Sequence, residues 1–146
     1  MKNILVGIDF DEHTELLIDK AVEFAKQFDS KIWLVHVTSP NPDFVGYEVG
    51  PQYIRDSRAA ELKLEHKQLA ELTEAIAVSG VEAEGLVIQG GTIQMILEES
   101  EKLKIDLIIT GHHEHNFLYN VFLGSTSIDI VSKSRIPVLV VPFASE

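Results

Sequence analysis

The stretch Leu107–Pro142, LIITGHHEHNFLYNVFLGSTSIDIVSKSRIPVLVVP, decides the fold. It begins and ends on short apolar runs, Leu107–Thr110 (LIIT) and Val138–Val141 (VLVV), and neither alternates polar with apolar residues. Continuous Val, Ile and Leu runs of this length suit strands covered on both faces, as in a parallel sheet. Between them lie a polar segment, Gly111-His112-His113-Glu114-His115, then Gly124-Ser125-Thr126-Ser127, then a short helical pattern marked by Ile128 and Val131. Strand, loop, helix and strand in that order make a parallel crossover. Pro137 stands directly before the last run and Pro142 directly after it.

The same rhythm extends back to the start of the chain. Ile4–Ile8 (ILVGI), Ile32–Val37 (IWLVHV) and Gly85–Ile88 (GLVI) are three more apolar runs. Leu17, Ala21, Phe24, Ala25 and Phe28 recur at helical spacing between the first two, with Asp19, Lys20, Glu23 and Lys26 between them. That pattern predicts an amphipathic helix, with Asp11 or Thr14 at its cap. Leu62, Leu69, Leu72 and Ile76 form the next stripe, which Gly80 stops; Ile93, Ile96, Leu97 and Leu103 form another. The order is βαβαβαβαβ. It predicts an α/β fold, a single doubly wound five-stranded parallel sheet with helices on both faces, as one domain over 1–146. The segment Thr38–Pro51, with Pro40, Pro42, Gly46 and Gly50, breaks the rhythm and reads as a long functional loop.

Composition narrows the function. The 146 residues contain no cysteine, which excludes a disulfide scaffold, a thiol nucleophile and cysteine-based metal sites. Lys and Arg number 12 against 23 Asp and Glu, a formal net charge of −11. Such a chain is poorly suited to nucleic acid or to an anionic membrane surface, both of which select basic patches. The first twenty residues lack the long apolar core of a signal peptide, and no run approaches the roughly 20 residues of a membrane span. A cytoplasmic location is the expectation.

In an open parallel sheet, ligands bind beyond the carboxyl ends of the strands where strand order switches. Asp9 follows the first run, Thr38 and the long loop the second, Gly90-Gly91 the third, and Gly111 onward the fourth. Gly124-Ser125 opens a helix, whose unpaired N–H groups and positive dipole end favour an anion, with the Ser125 and Thr126 hydroxyls as added donors. A plain turn with a serine cap fits the same residues. Asp9 likewise fits either a ligand site or a helix cap.

The C-terminal stretch from Ile109 to Pro142, the ILVGIDFDEH opening and the element order between them resemble the universal stress protein family. The resemblance covers essentially the whole chain. It implies a Rossmann-like fold of the adenine-nucleotide alpha-hydrolase type, stress-linked regulation without a robust catalytic reaction, and in many members bound ATP, with ADP or AMP as alternatives. Nucleotide-binding members carry G-x2-G-x9-G-[ST]. Here Gly111 is the first glycine, Gly124-Ser125 closes the motif at the kept spacing, and Glu114 stands at the second glycine. The resemblance assigns Asp9 to the adenine or ribose side and Gly7 to the pocket wall near adenine. Val37 meets adenine through its backbone. Thr110 and Gly111 line the ribose and phosphates, and Gly124, Ser125 and Thr126 hold the phosphates. Mg2+ enters only with bound nucleotide. A homodimer forms through the last strand, Val138–Val141.

Other residues carry blander readings. His112, His113, Glu114 and His115 are zinc-ligand types, but neighbours in a loop rarely converge on one ion, so no metal site and no catalytic residue is assigned. His36 reads as a hydrogen-bonded core histidine and Trp33 as packing, while His13 and His66 read as surface residues. Hydrolysis, if any, is slow, because the nearest cation to the motif in sequence is Lys133. Glu114 keeps open the alternative of a nucleotide-free dimeric interaction protein.

Overall fold

The computed structural model describes residues 1–38, 52–89, 92–113 and 125–143. The expected loop after Thr38, the Gly90-Gly91 pair, Glu114, His115 and Gly124 lie outside these residues. The elements run β1 (Asn3–Gly7), α1 (Thr14–Phe28), β2 (Lys31–Thr38), α2 (Gln52–Val78), β3 (Ala83–Gln89), α3 (Thr92–Lys102), β4 (Leu107–His113), α4 (Ser125–Lys133) and β5 (Val138–Phe143). They form the expected five-stranded parallel sheet, in the order β3-β2-β1-β4-β5.

Right-handed crossovers explain why both faces are covered. The chain steps outward from β1 to β2 and β3, then returns to β4 and steps the other way to β5. Reversing the direction of travel moves the crossover helices to the opposite face. Side-chain parity agrees: Ile4, Val6, Ile32, Leu34, Leu107 and Ile109 pack with Leu17 and Ala21 of α1 and with Leu69 and Ile76 of α2. Leu5, Val35 and Ile108 point the other way and pack with Ile96 of α3 and Ile130 of α4.

Several boundaries differ from the sequence reading. β4 runs on through Gly111, His112 and His113, which the sequence assigned to a loop, because those residues pair with Val141, Pro142 and Phe143 of β5. Pro142 is therefore inside β5 rather than beyond it, which an edge strand tolerates. In α1 the buried face is Thr14, Leu17, Ile18, Ala21 and Ala25; Phe28 is half-exposed and stacks on Phe24 instead. Among the described side chains of α4, Ile130 is buried, at 0% exposure, while Val131 points to solvent at 52%. The N-cap of α1 is His13, with no side-chain cap bond, and not Asp11 or Thr14 as expected; those two residues instead brace the turn before it. The His13 amide donates to Asp11 Oδ1 at 2.9 Å, and the Asp11 amide donates to Thr14 Oγ1 at 3.0 Å. Gly80, at φ +96°, takes the left-handed conformation that ends α2.

The amino end of the sheet is closed by polar side chains. Asp106 Oδ2 accepts the Lys2 and Asn3 amides at 2.7 and 3.0 Å. Ser30 Oγ donates to the Met1 carbonyl, and Trp33 Nε1 donates to Asn3 Oδ1. Trp33 packs beside the α3/α4 core and carries the Lys31 ammonium 3.9 Å from its ring centre. Among the described residues no helix is long and apolar enough to cross a membrane.

Two outcomes check this arrangement. Ile130→Ala is expected to cost about 2–5 kcal/mol in urea unfolding, while Val131→Ala stays within about 0.5 kcal/mol. Equal effects would contradict the α4 orientation. The Lys2 and Asn3 amides hold the Asp106 carboxyl below its ordinary value of 3.8. The ionised form therefore favours the folded state. Its stabilisation is full above that value and is lost as the pH falls through the lower folded value. The stability difference between the native chain and Asp106→Asn is expected to hold steady near neutral pH and to shrink in acid.

Candidate functional site

The sheet order puts the topological switch between β1 and β4, so the crevice lies beyond their carboxyl ends. Register fixes what faces it. Val6 pairs with Ile109, so the next residues, Gly7 and Thr110, stand level on neighbouring strands. Gly7 also pairs with Val35, two residues before Val37. Parity turns Gly7, Thr110 and Val37 to the α3/α4 face, since Leu5, Val35, Val37 and Ile108 belong to that core. Three of the sequence-selected residues thus share one end of one face. Thr110 is buried, while Gly7 and Val37 are half-buried. A Cβ on Gly7 would meet Ile96 Cδ1 at 3.7 Å, an ordinary contact, so packing alone does not demand glycine there.

Asp9 lies exposed in the turn after β1. Its neighbour Phe10 has φ 53°, a left-handed conformation costly for a residue with a Cβ, of the kind that clusters at functional turns. Ser125 and Thr126 open α4, so the backbone amides of that first turn sit at a helix N-terminus, as the sequence reading required. Lys133 lies at the far end of α4, roughly 12 Å along its axis. Positive potential at the α4 start therefore comes from the helix itself and not from this lysine.

Gly111 has a structural role that the sequence did not reveal. It is extended within β4 and faces the α1/α2 side, where the Phe143 ring covers its Cα; any Cβ would overlap the ring. Phe143 is itself buried and stacks on His13, with ring centres 4.1 Å apart and planes 8° from parallel. His13 is thus held in an aromatic stack and is not the surface residue expected. His66 is exposed as read. The only sequence signal for the Gly111–Phe143 contact was their parity on adjacent strands, visible once β4 is extended to His113.

His36 is hydrogen-bonded, as expected. Its Nδ1 lies 2.9 Å from the Ile8 carbonyl, which can only accept, so Nδ1 carries the proton. Nε2 is 3.7 Å from Glu65 Oε1 on α2, an ion pair only when the imidazole is charged. Glu65 Oε2 is buried without a hydrogen-bond partner. Phe10 packs against the His36 ring at 4.5 Å between centres.

A doubly wound parallel sheet with Gly7 and Thr110 at its switch point and a helix starting after β4 is the architecture of a Rossmann-like α/β domain. The sequence model of the Universal stress protein family matches residues 1–142, and the chain belongs to that family. It is 30% identical over 147 residues to the universal stress protein A homolog of Haemophilus influenzae, covering 99% of both chains. It is 32% identical over 141 residues to universal stress protein A homolog 1 of Coxiella burnetii, covering 96% of this chain and 95% of that one. Among solved structures, the hypothetical protein MJ0577 superposes with a TM-score of 0.80 at 24% identity, over 99% of this chain and 98% of the other. A universal stress protein in complex with cAMP superposes at 0.69 and 18% identity, covering 96% and 95%. A family protein from Arabidopsis thaliana with AMP bound superposes at 0.65 and 18% identity, covering 99% and 94%.

The Gly111–Phe143 contact is testable. Gly111→Ala is expected to lower stability by about 1–3 kcal/mol through overpacking. Combining it with Phe143→Leu is expected to cost less than the two single changes together, with coupling of about 1 kcal/mol, read from a double-mutant cycle. Strict additivity would mean the ring does not impose the glycine.

Proposed function

We propose that this chain is an adenine-nucleotide-binding module acting in a stress response, with ATP as its ligand and ADP or AMP as alternatives. The observation that carries the reading is the convergence of Gly7, Thr110 and Val37 on one face at the switch point, beside the Asp9 turn. Gly111 continues β4 from Thr110, and Ser125 and Thr126 open the helix that follows. The family's structural relatives with cAMP and AMP support the same ligand class. In this reading Asp9 takes the adenine or ribose side and Val37 offers backbone groups to adenine. Thr110 and Gly111 line the ribose and phosphates, and Gly124, Ser125 and Thr126 receive the phosphates. Mg2+ arrives with the nucleotide, held mostly by phosphate oxygens. Any hydrolysis is slow and secondary, because no lysine or arginine adjoins the motif to stabilise transition-state charge.

The module is a cytoplasmic homodimer in this reading. β5 lies at a sheet edge, and Val138–Val141 offers unpaired backbone groups to a second copy. Pro137 and Pro142 confine that pairing to a few residues.

One sequence feature favours a second reading, a nucleotide-free interaction protein. Glu114 occupies the motif's second glycine position. A carboxylate about 4–6 Å from a phosphate costs on the order of 3 kcal/mol at an effective dielectric near 20, before salt screening. The deciding experiment is a thermal melt with Mg·ATP, ADP, AMP and cyclic AMP on the native chain and on Glu114→Gly. Ligand at one hundred times its dissociation constant is expected to raise the native melting temperature by roughly 5–10 °C. A shift confined to Glu114→Gly would establish the nucleotide-free reading instead.

A further inference from the structure

We infer that His36 is a positioning residue of the crevice: by taking the Ile8 carbonyl out of the sheet ladder it leaves the Val37 amide unpaired and available to a ligand. The inference rests on the nucleotide reading for the identity of that ligand, an adenine ring, but not for the geometry.

Ladder alternation sets the geometry. Lys31 N–H bonds the Lys2 carbonyl toward β1, and Ile32 N–H bonds the Glu82 carbonyl toward β3. Odd residues of β2 therefore present their backbone groups to β1 and even residues to β3. The Ile8 amide still bonds the Val35 carbonyl at 3.0 Å. The next rung of a parallel ladder would be the Val37 amide donating to the Ile8 carbonyl. Among the described residues that rung is not made, and β1 ends at Gly7. The Ile8 carbonyl instead accepts from His36 Nδ1 at 2.9 Å. The Val37 amide is left facing the space beyond β1, which is the crevice.

The same ring holds the turn. Ile8 is bonded to His36 before Asp9, and Phe10 packs on the ring after it, at 4.5 Å between centres. The chain from Ile8 to Phe10 wraps His36, which explains how Phe10 is held at φ 53°. Glu65 on α2 faces Nε2 and keeps the ring's other edge turned from the crevice. One side chain thus fixes both a backbone donor and the carboxylate beside it.

The test uses two substitutions on the full chain. His36→Asn keeps a donor near the Nδ1 position; His36→Phe keeps an aromatic ring against Phe10 but has no donor. The Val37 amide is followed by NMR hydrogen exchange without ligand, and AMP and Mg·ATP affinity by calorimetry. Exchange at Val37 is expected to be fast in the native chain and in His36→Asn, and slowed in His36→Phe as the rung to Ile8 forms. Affinity is expected to fall about tenfold in His36→Phe, the weight of one hydrogen bond, and to stay within a few-fold in His36→Asn. Protection of Val37 in the native chain, or equal exchange in His36→Phe, would overturn the inference. So would nucleotide affinity that follows unliganded stability across the variants and ignores the donor. If the native chain binds no nucleotide, the functional reading fails and the exchange measurement still decides the role of His36.

Discussion

The structure depends on β1 standing at the reversal of the chain's winding. Ile4, Leu5 and Val6 have no exposed surface, because β2 and β4 bond both edges and helices cover both faces. Right-handed crossovers permit helices on both faces only if the direction of travel reverses, and it reverses between β3 and β4. The crevice follows from that constraint. In open α/β sheets wound this way, the switch point between the two central strands is where ligands bind.

The two ends of the sheet are finished differently. At the amino end, side chains close backbone groups: Asp106 accepts two amides, Ser30 donates to the Met1 carbonyl, and Asn3 Nδ2 donates to the Lys104 carbonyl. At the carboxyl end the pairing is withheld. β1 stops a rung short of β2, Phe10 sits in a left-handed conformation, and Asp9 is exposed between buried neighbours on the strand and the packed ring of Phe10. Left-handed residues occur at both ends, Asp29 and Lys104 in the turns before β2 and β4 and Phe10 in the turn after β1, so what sets the carboxyl end apart is the rung missing between β1 and β2.

The fold was legible because each strand is an unbroken Val, Ile and Leu run and each helix carries a stripe. The order of elements along the chain and the parallel direction followed from alternation; the order of strands in the sheet came from the structure. Boundaries were harder where the determinant is a cross-strand partner. His112 and His113 look like loop residues until Pro142 and Phe143 are seen beside them. Ile128 and Val131 are as apolar as Ile130, so a nine-residue helix offered too little periodicity to choose the inward face. Within the site, Thr110 stood out by its place after the fourth run, whereas Gly7 and Val37 entered only through the family resemblance; the fold brings the three to one face. The roles of His36, Phe10 and Phe143 were not legible, because each acts on a backbone group or ring distant in sequence.

Gly111 illustrates why a motif glycine is an ambiguous witness. A glycine in such a motif is usually credited to close approach of phosphate or to backbone freedom. Here the backbone is an ordinary strand, and a ring on the opposite face of the sheet from the crevice already forbids a side chain. Retention of Gly111 therefore does not report on phosphate. Glu114 is free of that objection in the other direction, since it departs from the pattern outright. The chain's charge of −11 adds little to the question, because exposed charges are screened over roughly 8–10 Å. In the nucleotide reading proposed above, the α4 amides favour an anion and the carboxylate of Asp9 opposes it. In that reading the helix terminus works against a carboxylate, and Mg2+ arriving with the nucleotide would weigh on the favourable side.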